Sequence, residues 1–336
     1  MKKAIGAILA SLVGLGCPLW AQTVNFVRAQ RPSQTKKLNV AIFVFPVVQT
    51  IDFAGPYEVF SQAGTNVYTV AAGLDPIQTA AGLTITPKYT FENAPKTDVL
   101  VLPGGDGVTG QLANPVVMNW IRETAKSASQ TLTVCTGAFL AGRAGLLDGL
   151  SATTFYGALD SLPEYAPRTK IVWDKKYVDG GKIITTAGLS SGVEGSLYTV
   201  SKLLGMGQAQ SIALHIEYNW NPNSNYARAM FPDMYIPDEL PYGLPLGSEL
   251  LNSSGDRDRW DITVRVPAEQ GVPKLLENID ALIAKSGKWT KAANPPKQEA
   301  SRWEFTDRYG AKWQSVVTLR PEHGSNLLLT LKMNRI

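Results

Sequence analysis

The chain has 336 residues, 44% apolar and 18% charged, which excludes intrinsic disorder and allows a large buried core. Its net charge of +4 falls to +2 without Lys2 and Lys3, so the charge balance gives no reason to expect a nucleic-acid partner. Two histidines and two cysteines are too few for a zinc site, and no metal or other cofactor is expected.

Residues 1–22, "MKKAIGAILASLVGLGCPLWAQ", place two lysines before a short apolar run and a small residue near its end. This is the layout of a secretory signal peptide, with cleavage expected near Ala21 and the mature chain in the periplasm or outside the cell. Lipid attachment at Cys17 is the rival reading, but Gly14 and Leu15 fit the Leu-small-small-Cys pattern poorly. No other stretch reads as a membrane span, so no stable membrane insertion is expected once the signal is removed.

A polar tether at residues 23–37 leads into a strand at 38–45, "LNVAIFVF". A short helix is predicted at 56–61, with Pro56 in its first turn. Strands follow at 67–72, 98–105 and 131–134, and helical spacing at 115–127. A further helix is predicted to carry Phe139, Leu140, Leu146 and Leu147. The run 170–188 reads as strand, glycine turn, strand, and helices are expected at 192–204 and 208–218. Short apolar strands alternating with helices of about a dozen residues indicate an α/β domain over 37–220, a doubly wound and mostly parallel sheet. Residues 221–256, rich in Pro, Asn and Gly without period, read as a linker or surface arm. Residues 257–336 read as a small α+β unit, β-α-β-β-β, whose helix carries Leu275, Leu276, Ile279, Leu282 and Ile283 on one stripe. It holds Trp260, Trp289, Trp303 and Trp313, which are expected to be core for a small sheet.

Removal of Cys17 with the signal leaves Cys135 as the one cysteine, without a disulfide partner. A lone thiol is often just a small buried hydrophobe. Here, though, Cys135 ends a strand and Thr136-Gly137 opens a helix, the layout of a nucleophile elbow. Unpaired N–H groups and the helix field are expected to favour thiolate and to stabilise developing negative charge. "LPGGDG" at 102–107 ends the preceding strand and brings Gly104 and Gly105 beside the elbow. "DFAGPYEVF" at 52–60 supplies Asp52 and Glu58, and Glu58 is read as a solvated or capping charge. The Gly-Gly-Asp-Gly loop alone is weak evidence for phosphate binding, since no lysine-bearing P-loop accompanies it.

The motifs "DFAGPYEVF", "DVLVLPGGDG", "TVCTGAFLAGRAGLLDGLSATT", "ITTAGLSSGVEGSLYTVSKLLG" and "IEYNWNP", in that order, resemble the ThiJ/PfpI family. That family has the class I glutamine-amidotransferase-like, flavodoxin-like fold. The similarity runs over residues 38–218, and its closest branch is the isonitrile hydratase-like one, which has Thr after the cysteine. The resemblance implies that Cys135 is the nucleophile, that Asp52 faces its sulfur, and that Thr136 and Gly105 supply backbone donors. It also implies a small-molecule substrate and a homodimer. One departure stands out. The branch often has His after Ala-Thr-Thr, whereas Phe155 follows Thr154 here; only His215 and His323 exist, and His215 reads as a core or surface residue.

Without a Cys-His-acid triad, peptidase or amidase chemistry is disfavoured. Three functions remain open at this stage. One is hydration of an electrophilic carbon, isonitrile to N-substituted formamide, with Cys135 as thiolate and Asp52 as proton donor. Another is a glyoxalase- or deglycase-like action on reactive carbonyls. The last is a non-catalytic module that binds a small ligand or senses oxidants through Cys135.

Overall fold

The computed structural model describes residues 37–224, 226–269, 271–293, 300–322, 324 and 326–336. The expected signal peptide, Cys17, Ala21 and His323 lie outside the described residues. Two compact units are present, one formed by the described residues up to 172 together with 176–224, the other by 173–175 with 225–336. No helix among the described residues is long and apolar enough to cross a membrane.

The first unit is built on seven strands: β1 (Asn39–Phe43), β2 (Asn66–Ala71), β3 (Tyr89–Thr90), β4 (Val99–Leu102), β5 (Gln130–Thr133), β6 (Tyr177–Asp179) and β7 (Ile183–Thr186). Their order is β6-β7-β5-β4-β1-β2-β3. Every pairing is parallel except β6 with β7, the hairpin expected around the glycine turn. The central strands β4 and β5 are buried along their whole length, as a sheet covered on both faces requires. Its helices are α1 (Thr50–Gln62), α2 (Pro115–Ser127), α3 (Gly137–Arg143), α4 (Ser191–Leu204) and α5 (Met206–His215). Helix α1 packs on α4, and α2 packs on α3. The α/β doubly wound architecture read from the sequence is the one observed.

Two helices differ from expectation. Helix α1 begins six residues before Pro56 and carries that proline inside it, buried. Proline removes only the N–H that the Asp52 carbonyl would have accepted, and packing against α4 offsets the loss. The earlier start puts Asp52 in the first turn of the helix. Helix α3 stops at Arg143, because Gly145 turns the chain with φ 78°; Leu146 and Leu147 lie beyond it.

The second unit is a six-stranded antiparallel sheet: β8 (Glu249–Gly255), β9 (Arg259–Pro267), β10 (Thr290–Lys291), β11 (Ala300–Thr306), β12 (Lys312–Pro321) and β13 (Asn326–Arg335). The order is β8-β9-β13-β12-β11-β10, with helix α6 (Gly271–Lys285) between β9 and β10. Here the reading of 221–256 as a linker or surface arm without secondary structure signal is refined. Residues 249–255 form an edge strand paired with β9 and exposed throughout, which is why no burial periodicity marked it. Short helical turns also occupy Arg228–Met230, Pro232–Tyr235 and Glu239–Tyr242. The β-α-β-β-β reading therefore lacks two strands, β8 and the two-residue β10.

Trp260, Trp289, Trp303 and Trp313 are buried, together with Leu275, Ile279 and Ile283 of α6. Each indole N–H has an acceptor: Ser253 Oγ for Trp260, the Tyr235 carbonyl for Trp289, Asp280 Oδ1 for Trp303 and Asp307 Oδ2 for Trp313. These aromatics are core, with their polar edges satisfied as buried indoles require.

In the first unit, a Cβ on Gly137 would collide with the Leu102 carbonyl oxygen at the end of β4. Gly137→Ala is expected to cost about 1–3 kcal/mol or more, as overpacking does. An unchanged denaturant midpoint for that variant would rule out this close approach of helix and strand.

Candidate functional site

The elbow at Cys135 is real in its backbone. Cys135 has φ 57°, a left-handed conformation that strains a side-chain-bearing residue and turns β5 sharply into α3. Its N–H donates to the Ala187 carbonyl, and its carbonyl accepts from the Ala138 N–H and from the Thr154 hydroxyl at 2.7 Å. Strand, helix and the 153–155 segment thus clamp one residue. The sulfur is not fully enclosed: Cys135 keeps 8% exposure.

Asp52, fully buried, faces it. Its Oδ2 accepts from the Gly104 N–H at 3.2 Å and its Oδ1 from the Leu189 N–H at 3.1 Å, and a hydrogen bond links the carboxylate with the Cys135 thiol. Burial is the largest influence on Asp52 and raises its pKa from 3.8 to about 6, although all three hydrogen bonds pull it down. Burial likewise pushes the Cys135 thiol well above its ordinary value, and the Asp52 charge adds to that rise; the Thr136 N–H and hydroxyl oppose it. No cation figures among the groups that shift either residue.

The expectation of a resting thiolate beside a protonated Asp52 is therefore corrected. Above pH ~6 the carboxyl is the group that ionises, and the sulfur keeps the proton and donates it to the carboxylate. The field of the seven-residue helix α3 is outweighed by desolvation and by a negative neighbour.

The backbone donors also differ from expectation. The Gly104 N–H is spent on Asp52, and the Gly105 N–H donates to Thr136 Oγ1 at 3.1 Å. Neither points freely at a reacting atom. The Thr136 N–H, by contrast, is directed at the sulfur, as is its hydroxyl. Gly104 and Gly105 matter by what they lack. A Cβ on Gly104 would lie 2.6 Å from Thr136 Oγ1 and 2.8 Å from Cys135 Cβ, and one on Gly105 would lie 2.5 Å from the Gln49 nitrogen. Gly104 lets the loop after β4 close on the elbow, and Gly105 lets it close on residues 47–49 ahead of α1.

Glu58 is exposed on α1 and accepts from Gln62 Nε2 at 2.7 Å, as a solvated charge does. His215 is exposed at the end of α5. Among the described residues no cluster of His, Cys, Asp and Glu suits a metal ion.

Sequence reasoning gave no role to Leu189, Gly188 or Thr154. Leu189 presents its N–H to Asp52 from a φ of 58°. Gly188 stands beside the sulfur, where a Cβ would lie 3.4 Å from Cys135 Sγ and 2.6 Å from Phe155 Cδ2. The motif "TTAGLSS" contained both residues, but backbone contacts leave no side-chain signature in it.

The profile of the DJ-1/PfpI family matches residues 38–200. The chain is 35% identical over 182 residues to an isonitrile hydratase of Pseudomonas putida, covering 54% of this chain and 78% of that protein. Among solved structures, a ThiJ/PfpI family protein from Pseudomonas syringae aligns with a TM-score of 0.55 at 26% identity, over 74% of this chain and 91% of that one. Drosophila melanogaster DJ-1beta shares the fold, with a TM-score of 0.51 at 21% identity, over 55% of this chain and all of that one.

Asp52→Asn removes the charge and the acceptor that hold the proton on sulfur. The pH midpoint for alkylation of Cys135 by iodoacetamide is expected to fall by about one unit or more. A midpoint that stays in place or rises would show that Asp52 does not control the thiol.

Proposed function

From its membership of the DJ-1/PfpI family, to which this chain belongs, we propose that it is a cysteine enzyme that adds water to a small electrophilic carbon, converting an isonitrile to an N-substituted formamide. The observation that carries this reading is the Cys135–Asp52 pair, a nucleophile and a proton carrier in direct hydrogen bond at the end of a parallel strand. The similarity to isonitrile hydratase supports the choice of substrate class.

The steps follow from where the proton rests. The sulfur adds to the terminal isonitrile carbon while its proton passes to the Asp52 carboxylate. Asp52 then gives that proton to the same carbon, which leaves a thioformimidate on Cys135. Water adds across the C=N bond, the C–S bond breaks, and the sulfur recovers a proton as the N-substituted formamide departs. Nucleophile and acid are thus made from one shared proton, and neither needs to be preformed. The Thr136 N–H and hydroxyl stabilise the sulfur whenever it carries charge. We further propose that the protein is exported, from the signal-like residues 1–22, and that it acts as a homodimer.

Two outcomes are expected with purified protein and cyclohexyl isocyanide, followed by NMR detection of the formamide. Cys135→Ala abolishes turnover. Asp52→Asn lowers it at least ~10²-fold, the scale of a general acid–base group, even though the thiol becomes more acidic. Retained activity in either variant rejects the mechanism, and turnover of methylglyoxal in place of the isocyanide favours the glyoxalase-like reading.

The pH profile has a defined sign. Asp52 must be ionised to accept the thiol proton, so kcat/KM rises with pH through about 6 and falls tenfold per unit below it. A profile that is flat between pH 4.5 and 7, or that declines with rising pH, contradicts the assignment of Asp52 as base.

A further inference from the structure

We infer that the site selects an uncharged, apolar substituent on the reacting carbon, and that the Phe155 ring, with the bare Gly188 beside it, is the surface that makes the selection. The inference rests on the hydration reading for its substrate but on geometry for its pocket.

Three observations place Phe155 at the sulfur. A point one bond out from the Gly188 Cα lies 3.4 Å from Cys135 Sγ, 2.6 Å from Phe155 Cδ2 and 3.4 Å from Phe155 Cε2. Ring and sulfur therefore both lie against Gly188, and the ring comes this close to the sulfur because residue 188 has no side chain. Thr154, immediately before, donates its hydroxyl to the Cys135 carbonyl at 2.7 Å and is fully buried, so the position of residue 155 is tied to the elbow. The Phe155 ring keeps partial exposure and packs on the Tyr156 ring, centroids 4.4 Å apart. It is thus held in place while still presenting surface.

The charges point the same way. The carboxylate–thiol pair carries one negative charge, and no cation among the described residues figures among the groups that shift it. An anionic substituent would meet that charge uncompensated, whereas an alkyl or aryl group would lose water against the ring. Leu189 and Ile51, next to the groups that form the site, are 42% and 39% exposed and are also apolar. A polar group at position 155 would offer a hydrogen bond beside the sulfur; phenylalanine offers only area.

The experiment compares alkylation of Cys135 by N-phenyliodoacetamide and by iodoacetate in the full chain, each rate divided by that of free cysteine and read by mass spectrometry. Wild type is expected to prefer the phenyl probe by on the order of tenfold, the discrimination an apolar contact supplies. Phe155→Ser is expected to lose most of that preference, and Phe155→Leu, which keeps an apolar side chain and serves should the serine variant fold poorly, to keep it. Equal corrected rates in wild type, or a preference undiminished in a folded Phe155→Ser, overturns the inference.

Cyclohexyl isocyanide and isocyanoacetate form the second arm. Faster turnover of the cyclohexyl compound supports the inference, and faster turnover of isocyanoacetate overturns it. If neither is turned over while the alkylation preference stands, the pocket assignment holds and the hydratase reading alone falls.

Discussion

The Asp52 carboxylate is the knot of the first unit. It accepts from the Gly104 N–H after β4, from the Leu189 N–H after β7 and from the thiol at the end of β5, while its own backbone lies in α1 after β1. One fully buried side chain thus gathers the carboxyl ends of four neighbouring strands, the edge of a parallel sheet where crevices form. Burying a carboxylate is costly unless its oxygens are satisfied, and two backbone donors with a thiol meet that need. The compensation is incomplete, since desolvation still outweighs the hydrogen bonds and leaves the carboxyl titrating near 6. A group poised there exchanges protons readily around neutrality, as a base in the working pH range must.

The pair then divides one negative charge between two buried groups, with no cation among the described residues figuring in their shifts. Cysteine enzymes that rest as thiolates have a cation or an exposed helix terminus to hold that form. Here burial and the Asp52 charge favour a protonated sulfur. In the proposed reaction that proton leaves only when an electrophile arrives, and no histidine is needed. The carboxylate would take the proton directly, over a single hydrogen bond, and would then be the nearest acid to the newly formed bond.

Much of the site is made by missing atoms. Gly104 lets the loop after β4 touch the elbow, Gly105 lets it close on residues 47–49, Gly137 lets α3 dock on β4, and Gly188 lets the Phe155 ring approach the sulfur. The strained φ of Cys135, of the kind that costs about 1–3 kcal/mol, is sustained because three hydrogen bonds fix that residue's backbone. The second unit follows a different plan. Trp260, Trp289, Trp303 and Trp313, each with a satisfied indole, and one amphipathic helix furnish a core for the antiparallel sheet.

Periodicity in the sequence was enough for the architecture. Continuous apolar runs at β1 and β4 require a sheet covered on both faces, and the stripe on α6 and the alternation in β9 require a one-sided second sheet. The motifs around Asp52, Gly104, Cys135 and Thr136 also located the crevice, because strand-to-helix turns with glycine have few other uses. Edge strand β8 escaped notice since an exposed strand carries no burial pattern, and α1 started early because tertiary packing overrode the signal at Pro56. The state of the sulfur could not be read from the chain at all. It depends on desolvation and on one charge 83 residues away in sequence, and only folding brings those together. The same holds for the donors: whether the N–H of Gly104 or of Gly105 is free depends on which acceptor the folded chain sets before it.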